Sequence, residues 1–364
     1  MAAEPVVQPG HASRRQTILF VVALLAAGLC LVWAFHDVNF HQVGAMLVQL
    51  GPAVAWVLVP YGIASLLDGL GLRRILTSLG RSVEFIRLLS IRLSADALTV
   101  SAPGGAVLSE GVRVMILQTR CDVPVTEGVG ALAARKCLLI RGHGLYLALA
   151  TVIGWGYLSQ RSADVLGVPG LPVFLGGMAA ALIIASLIMG KALSGGGTAA
   201  RVGMLLERIP VRALRAWLER RRTAFSQTDT HLGRTLGPRA GRQATLLYFL
   251  MWLAEASETY LLLRLLGFDV GLADALALEA VITVARALAF FVPAGLGVQD
   301  AGYVAFLRGD GGGSALELAA AFALIKRARE LFWVGVGFAL LLHARKQPLP
   351  SATYPTSSRS PGPP

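Results

Sequence analysis

The sequence predicts an all-α polytopic membrane protein, with about six full spans and two re-entrant, broken-helix hairpins in an inverted repeat. Three observations point there. Apolar runs long enough to cross a bilayer core recur along a chain of mean hydropathy +0.64, with 55% hydrophobic and only 15% charged residues. Basic residues collect in the gaps between alternate runs, the usual signature of cytoplasmic loops. One broken-helix motif occurs twice: Ser101-Ala102-Pro103-Gly104-Gly105 before Glu110, and Val292-Pro293-Ala294-Gly295-Leu296-Gly297 before Asp300. Pro103 aligns with Pro293, Gly105 with Gly295 and Glu110 with Asp300 at one common offset.

The elements follow in order. Residues 1–16 read as a disordered tail. Ser13-Arg14-Arg15 resembles the start of a twin-arginine export signal, but the apolar run 18–35 is too long for one and lacks a small-residue cleavage site. It reads as an uncleaved first span, with an outside loop holding His36, Asp37 and His41. The second span, about 53–71, returns to a basic stretch with Arg73, Arg74, Arg81, Arg87 and Arg92. Residues 84–118 form the first hairpin around the Pro-Gly break. The third span, about 128–158, goes out and the fourth, about 172–190, comes back.

The segment 199–242 carries ten arginines from Arg201 to Arg242 against Glu207, Glu219 and Asp229. Its apolar stripe (Val202, Leu205, Leu206, Ile209, Leu214, Trp217) suits either a helix lying in the membrane interface or a solvated cytoplasmic hairpin. The fifth span is about 244–266, the second hairpin 274–307 and the last span about 315–342, ending at Arg345 and Lys346. Residues 17–346 thus form one membrane domain, followed by a Pro/Ser-rich tail, 347–364. Both termini belong on the cytoplasmic side. Halves about 53–158 and 244–342 correspond, with reversed orientation, as in many secondary transporters.

The breaks are the first place to look for chemistry. Proline and glycine stop a helix, exposing backbone N–H groups that attract an anion and allowing a ligand to approach closely. Breaks needed for packing alone are the other reading. Candidate binding residues are Pro103, Gly104, Gly105, Glu110 and Arg113 in the first hairpin, and Arg286, Pro293, Gly295, Gly297 and Asp300 in the second. Lys326 and Arg329 join them from the last span. Glu110, Asp300, Arg286 and Lys326 are expected to line one shared polar cavity, and Asp96 aligns with Arg286 as an opposite-charge pair. Such charges in a bilayer either recognise a polar headgroup or couple to protons, or they hold the hairpins by mutual pairing. Arg135, Lys136, Arg141, His143, Lys326, Arg327 and Arg329 suit phosphate recognition or structural pairing equally.

Several classes are excluded. No His-Glu-x-x-His, Gly-x-Ser-x-Gly, Walker A or dinucleotide fingerprint occurs, so no enzymatic activity, metal or cofactor is expected. The net charge of +12 sits in inter-span loops rather than in a nucleic-acid-binding module. Cys30, Cys121 and Cys137 form no paired or metal-spaced set.

Three pieces resemble the transmembrane, flippase-like domain of the lysylphosphatidylglycerol synthase family: Ser101–Gly105 with Glu110-Gly-Val-Arg113, Phe290 through Asp300-Ala-Gly, and Ala323-Leu-Ile-Lys-Arg-Ala-Arg-Glu330-Leu. Within that family, the Ala323–Leu331 piece and the Val-Gln-acid ending at Asp300 are most similar to hopanoid-biosynthesis-associated membrane proteins. The resemblance, over about residues 15–345, implies a bacterial inner-membrane protein that moves a hopanoid or anionic phospholipid between leaflets. The runner-up reading is a non-transporting scaffold or regulator of hopanoid or lipid biosynthesis enzymes. The soluble aminoacyl-transferase domain of full synthases has no counterpart here, so transferase activity does not carry over. Asp300 stands where most relatives are expected to have Glu.

Overall fold

The computed structural model describes residues 25, 28–101, 105–194, 238–289, 292, 295–308 and 315–346. Pro103, Gly104, Pro293, both tails and nearly all of the basic segment lie outside the described residues, as does most of the first span, whose described residues 28–35 are helical. Within the described residues the chain is helical without strands, an all-α membrane protein.

The stretch expected as an outside loop is mostly helix. Asn39 caps α1 (Phe40–Leu50), its Oδ1 accepting from the N–H groups of His41 and Gln42 at 3.1 and 3.3 Å. A 3-10 segment, Gly51–Val57, carries α1 into α2, Leu58–Ser78. The first hairpin is α3 (Phe85–Ser101) and α4 (Gly105–Cys121), parted at the Pro-Gly motif. The third span is not continuous to 158: α5 (Val125–Ile153) ends at Gly154, and α6 (Trp155–Leu166) departs from it. A Cβ on Gly154 would stand 2.3 Å from the Ala277 methyl, so the chain turns where only glycine lets it meet its neighbour. Then come α7 (Leu171–Ser194), α8 (Pro238–Leu265), α9 (Leu272–Leu288), the short α10 (Val298–Leu307) and α11 (Ala315–Lys346).

Among the described residues, four helical segments are long and apolar enough to cross a membrane: Phe40–Ser78, Val125–Ile153, Leu171–Lys191 and Arg239–Leu265. Helix α11, 32 residues long, has the length but carries Lys326, Arg327, Arg329 and Glu330 in its middle. Over the Leu171–Lys191 span, mean hydropathy is 2.3 and only 22% is buried, so its apolar side chains face outward, as lipid contact requires.

Packing repeats along the chain. Helix α2 lies on α3, and α8 on α9; α4 lies on α5, and α10 on α11. Helix α11 crosses α3, and the corresponding α5 crosses α9, while α2 and α8 pack on each other. The α11–α3 crossing is again built on glycine: a Cβ on Gly337 would lie 2.3 Å from the Leu93 carbonyl oxygen. One apolar cluster, including Leu88, Leu138 and Tyr248, surrounds the first hairpin; another, including Tyr146, Tyr303 and Phe322, surrounds the second. Charged residues lie between them.

Candidate functional site

Buried charge in a bilayer needs a partner, and helices α2, α3, α4, α5 and α8 supply one another's. Asp68, 1% exposed on α2, is the hub. Its Oδ1 accepts from Arg135 at 2.6 and 3.1 Å, and its Oδ2 lies 3.1 Å from Arg92. Arg92 also meets Asp96 at 3.0 Å and Glu255 of α8 at 3.4 Å, so one guanidinium serves three carboxylates from three helices. Asp96 is bound besides by Arg113 at 2.8 Å and by the Tyr61 hydroxyl, which donates to it at 3.2 Å.

The second cluster gathers on α8 to α11. Lys326 Nζ donates to Glu279 and to the Tyr303 hydroxyl, both at 2.9 Å, while Tyr303 and Thr259 also donate to the Glu279 carboxylate. Arg329 reaches Glu258 at 3.1 Å, with Lys326 3.9 Å from the same oxygen. The Arg329 guanidinium stacks over the Tyr61 ring at 5.0 Å. Tyr61 therefore joins the clusters, its hydroxyl on Asp96 and its ring under Arg329.

The acids after the breaks are each met by the following span. Asp300 takes a bidentate grip from Arg327 at 2.7 and 2.9 Å and accepts the Gly297 N–H at 3.0 Å, capping its own helix where Gly297 has φ +77°. Arg327 also holds Glu330 at 2.6 Å. Glu110 lies 3.6 Å from Lys136 and 3.8 Å from Arg135.

These contacts revise the expected pairings. No two of Glu110, Asp300, Arg286 and Lys326 bond to each other: α4 packs on α5 and α10 on α11, so each acid finds a cation within its own half. Arg113 turns to Asp96 rather than to Glu110. Asp96 bonds to Arg92 and Arg113, not to Arg286. The stem of Arg286 packs on Gly295 beside the second break. Gly105 opens α4. Arg141 is committed to the Ser186 hydroxyl and carbonyl, and His143 stacks on Trp252 with centroids 4.0 Å apart.

Asp68, Glu255, Glu258, Glu279, Tyr61 and Tyr303 were not among the sequence candidates. Asp68 and Glu258 stand at the same offset as Pro103 and Pro293, so the repeat applied to acids inside spans would have found them. Glu279 and Glu255 were visible only as carboxylates inside apolar runs. In the loop after α2, Arg81 binds Glu127 at 2.6 Å, and this hydrogen bond raises the pKa of the guanidinium above its ordinary value. It fastens the α2–α3 loop to the start of α5. Among the described residues no group of three His, Cys, Asp or Glu side chains is placed to hold a metal.

Long apolar helices around an interior charge network define a polytopic all-α membrane protein with an intramembrane polar site. Residues 20–337 match the family described as the lysylphosphatidylglycerol synthase TM region, and the chain belongs to that family. It is thereby a multi-pass membrane protein of a lipid-handling family. No curated protein matches the chain.

Proposed function

We propose that this protein moves a lipid, a hopanoid or an anionic phospholipid, between the leaflets of a bacterial inner membrane. One observation carries the reading. Around the first broken hairpin, carboxylates within helices keep partial exposure: Asp96 24%, Glu255 21% and Glu110 32%. A polar, accessible interior among lipid-facing helices suits passage of a headgroup whose tails stay in hydrocarbon. The recurrent packing of α2 to α5 and α8 to α11 supports an inverted repeat, which would let the two halves exchange roles in opening to either side. In this reading both termini are cytoplasmic, and the protein shifts a lipid's leaflet without changing the lipid.

A second reading has its own support. Most interior charges already have partners, as a purely structural network would require. The protein would then be a scaffold or regulator of lipid or hopanoid biosynthesis enzymes. A leaflet-resolved lipid assay, in cells with and without the protein and in proteoliposomes, separates the two. Transport predicts a changed leaflet distribution with unchanged lipid species. An unchanged distribution with normal membrane abundance refutes it, and a new lipid species would instead mark an enzyme.

A further inference from the structure

The first cluster contains a linear chain of alternating charge: Glu110, Arg135, Asp68, Arg92, Glu255. Its four contacts measure 3.8, 2.6, 3.1 and 3.4 Å in that order. The tight contacts and the buried groups are in the middle; the loose contacts and the partly exposed carboxylates are at the ends. Asp68 gives up contacts with two arginines if it is protonated. Asp96 gives up Arg92, Arg113 and Tyr61, while Glu279 and Asp300 give up three donors each. Glu255 gives up a single 3.4 Å contact, and Arg92 keeps Asp68 and Asp96 when it does. Glu110 gives up contacts of 3.6 and 3.8 Å, and its buried Oε2 has no hydrogen-bond donor among the described residues.

We propose that Glu110 and Glu255 are a proton-binding pair at the two ends of this chain, and that lipid movement is coupled to protons through them. The coupling rests on the transport reading; the proton pair does not. Each step is the addition of one proton to one carboxylate. Glu255 is the more telling end, because it faces both hairpins: Arg92 and Asp96 from α3, Arg286 from α9, Arg329 from α11, Tyr61 from α2 and Tyr146 from α5 are within electrostatic reach. Glu110 faces Arg113 on its own helix and Arg135 and Lys136 on α5. Neutralising Glu255 releases the ionic tie between α3 and α8 and leaves Arg92 only the Met251 sulfur on α8. The attraction of Arg286 for that carboxylate goes with it, so one proton alters how α8 is held against both hairpins. Carboxylates inside a membrane are a usual material of proton relays.

The test has two arms. Infrared difference spectra of the purified full-length protein between acid and alkaline pH should show carboxylic acid carbonyl signals. Glu255→Gln should remove one component and Glu110→Gln another, while Glu255→Asp should keep its component at a shifted frequency. A wild-type spectrum with no titrating carboxyl, or one that neither glutamine variant alters, overturns the proton pair. In proteoliposomes carrying a fluorescent phosphatidylglycerol, a gradient of about one pH unit should bias wild-type net flux by up to about tenfold per coupled proton. Glu255→Gln should carry lipid equally with or without the gradient. Wild-type flux that ignores the gradient overturns coupling and leaves transport standing. Folded protein that titrates but moves no lipid keeps the proton pair and removes both transport and coupling.

Discussion

Replacing Asp68 with asparagine should be among the most damaging single-atom changes in this chain. The carboxylate is 1% exposed and holds both Arg135 and Arg92. Once it is neutral, Arg92 still has Asp96 and Glu255, but Arg135 is left with Glu110 at 3.8 Å. One nearly uncompensated buried guanidinium costs about 3–5 kcal/mol, a large share of the roughly 5–15 kcal/mol that holds a typical protein folded. The midpoint of thermal unfolding in detergent should therefore fall by on the order of 5–10 °C, and membrane abundance should fall with it. Glu258→Gln at the corresponding position should also be costly: Lys326 keeps Glu279 and Tyr303, but Arg329 loses its 3.1 Å carboxylate and keeps only the Tyr61 ring. The decisive comparison adds Arg135→Gln to Asp68→Asn. The double variant removes both charges and should recover at least about 1 kcal/mol of coupling relative to the sum of the singles. An Asp68→Asn midpoint indistinguishable from wild type, or strictly additive losses, would refute this account of the hub.

Further outcomes follow from the same contacts. Asp300→Asn should destabilise by about 2–3 kcal/mol through weakened pairing with Arg327, whereas Asp300→Glu should keep more stability, since glutamate serves equally well at the third position of a capping box; unfolding midpoints of the two variants check the order. Gly337→Ala places a methyl against the Leu93 carbonyl oxygen and should cost about 1–3 kcal/mol, read as reduced abundance and midpoint, with Gly335→Ala, which meets nothing within 4 Å, as the unaffected control. Cysteines placed at Arg220 and Pro350 should be labelled only from the cytoplasmic side; labelling of either from outside would overturn the expected topology and the inverted orientation of the halves.

The breaks and the long helices were legible because they depend on local chemistry. Proline followed closely by glycine favours a helix break, and an apolar run of span length has few other uses. The Gly154 bend was not legible: one glycine inside a helical run is unremarkable until α9 is found against it. The start of α1 was hidden differently, since Asn39 is a cap signal among residues that otherwise read as a loop. In the site, Glu110, Asp300 and Lys326 stood out as charges in apolar surroundings, while the choice of partner did not. Lys326, Arg327 and Arg329 crowd one turn of helix, and their order in sequence does not say which meets Asp300.

By itself the sequence determined the membrane class, the order of the helices, the paired breaks and the presence of interior charges, since each follows from apolar run length, backbone-breaking residues or the cost of charge in hydrocarbon. Only the tertiary structure decided that Arg327 rather than Lys326 holds Asp300, that Asp68 gathers two arginines, and that Tyr61 joins the two clusters. Residues one position apart on a helix point about 100° apart, so neighbours in sequence meet different helices. Which helix lies at each face is settled by how all of them pack together.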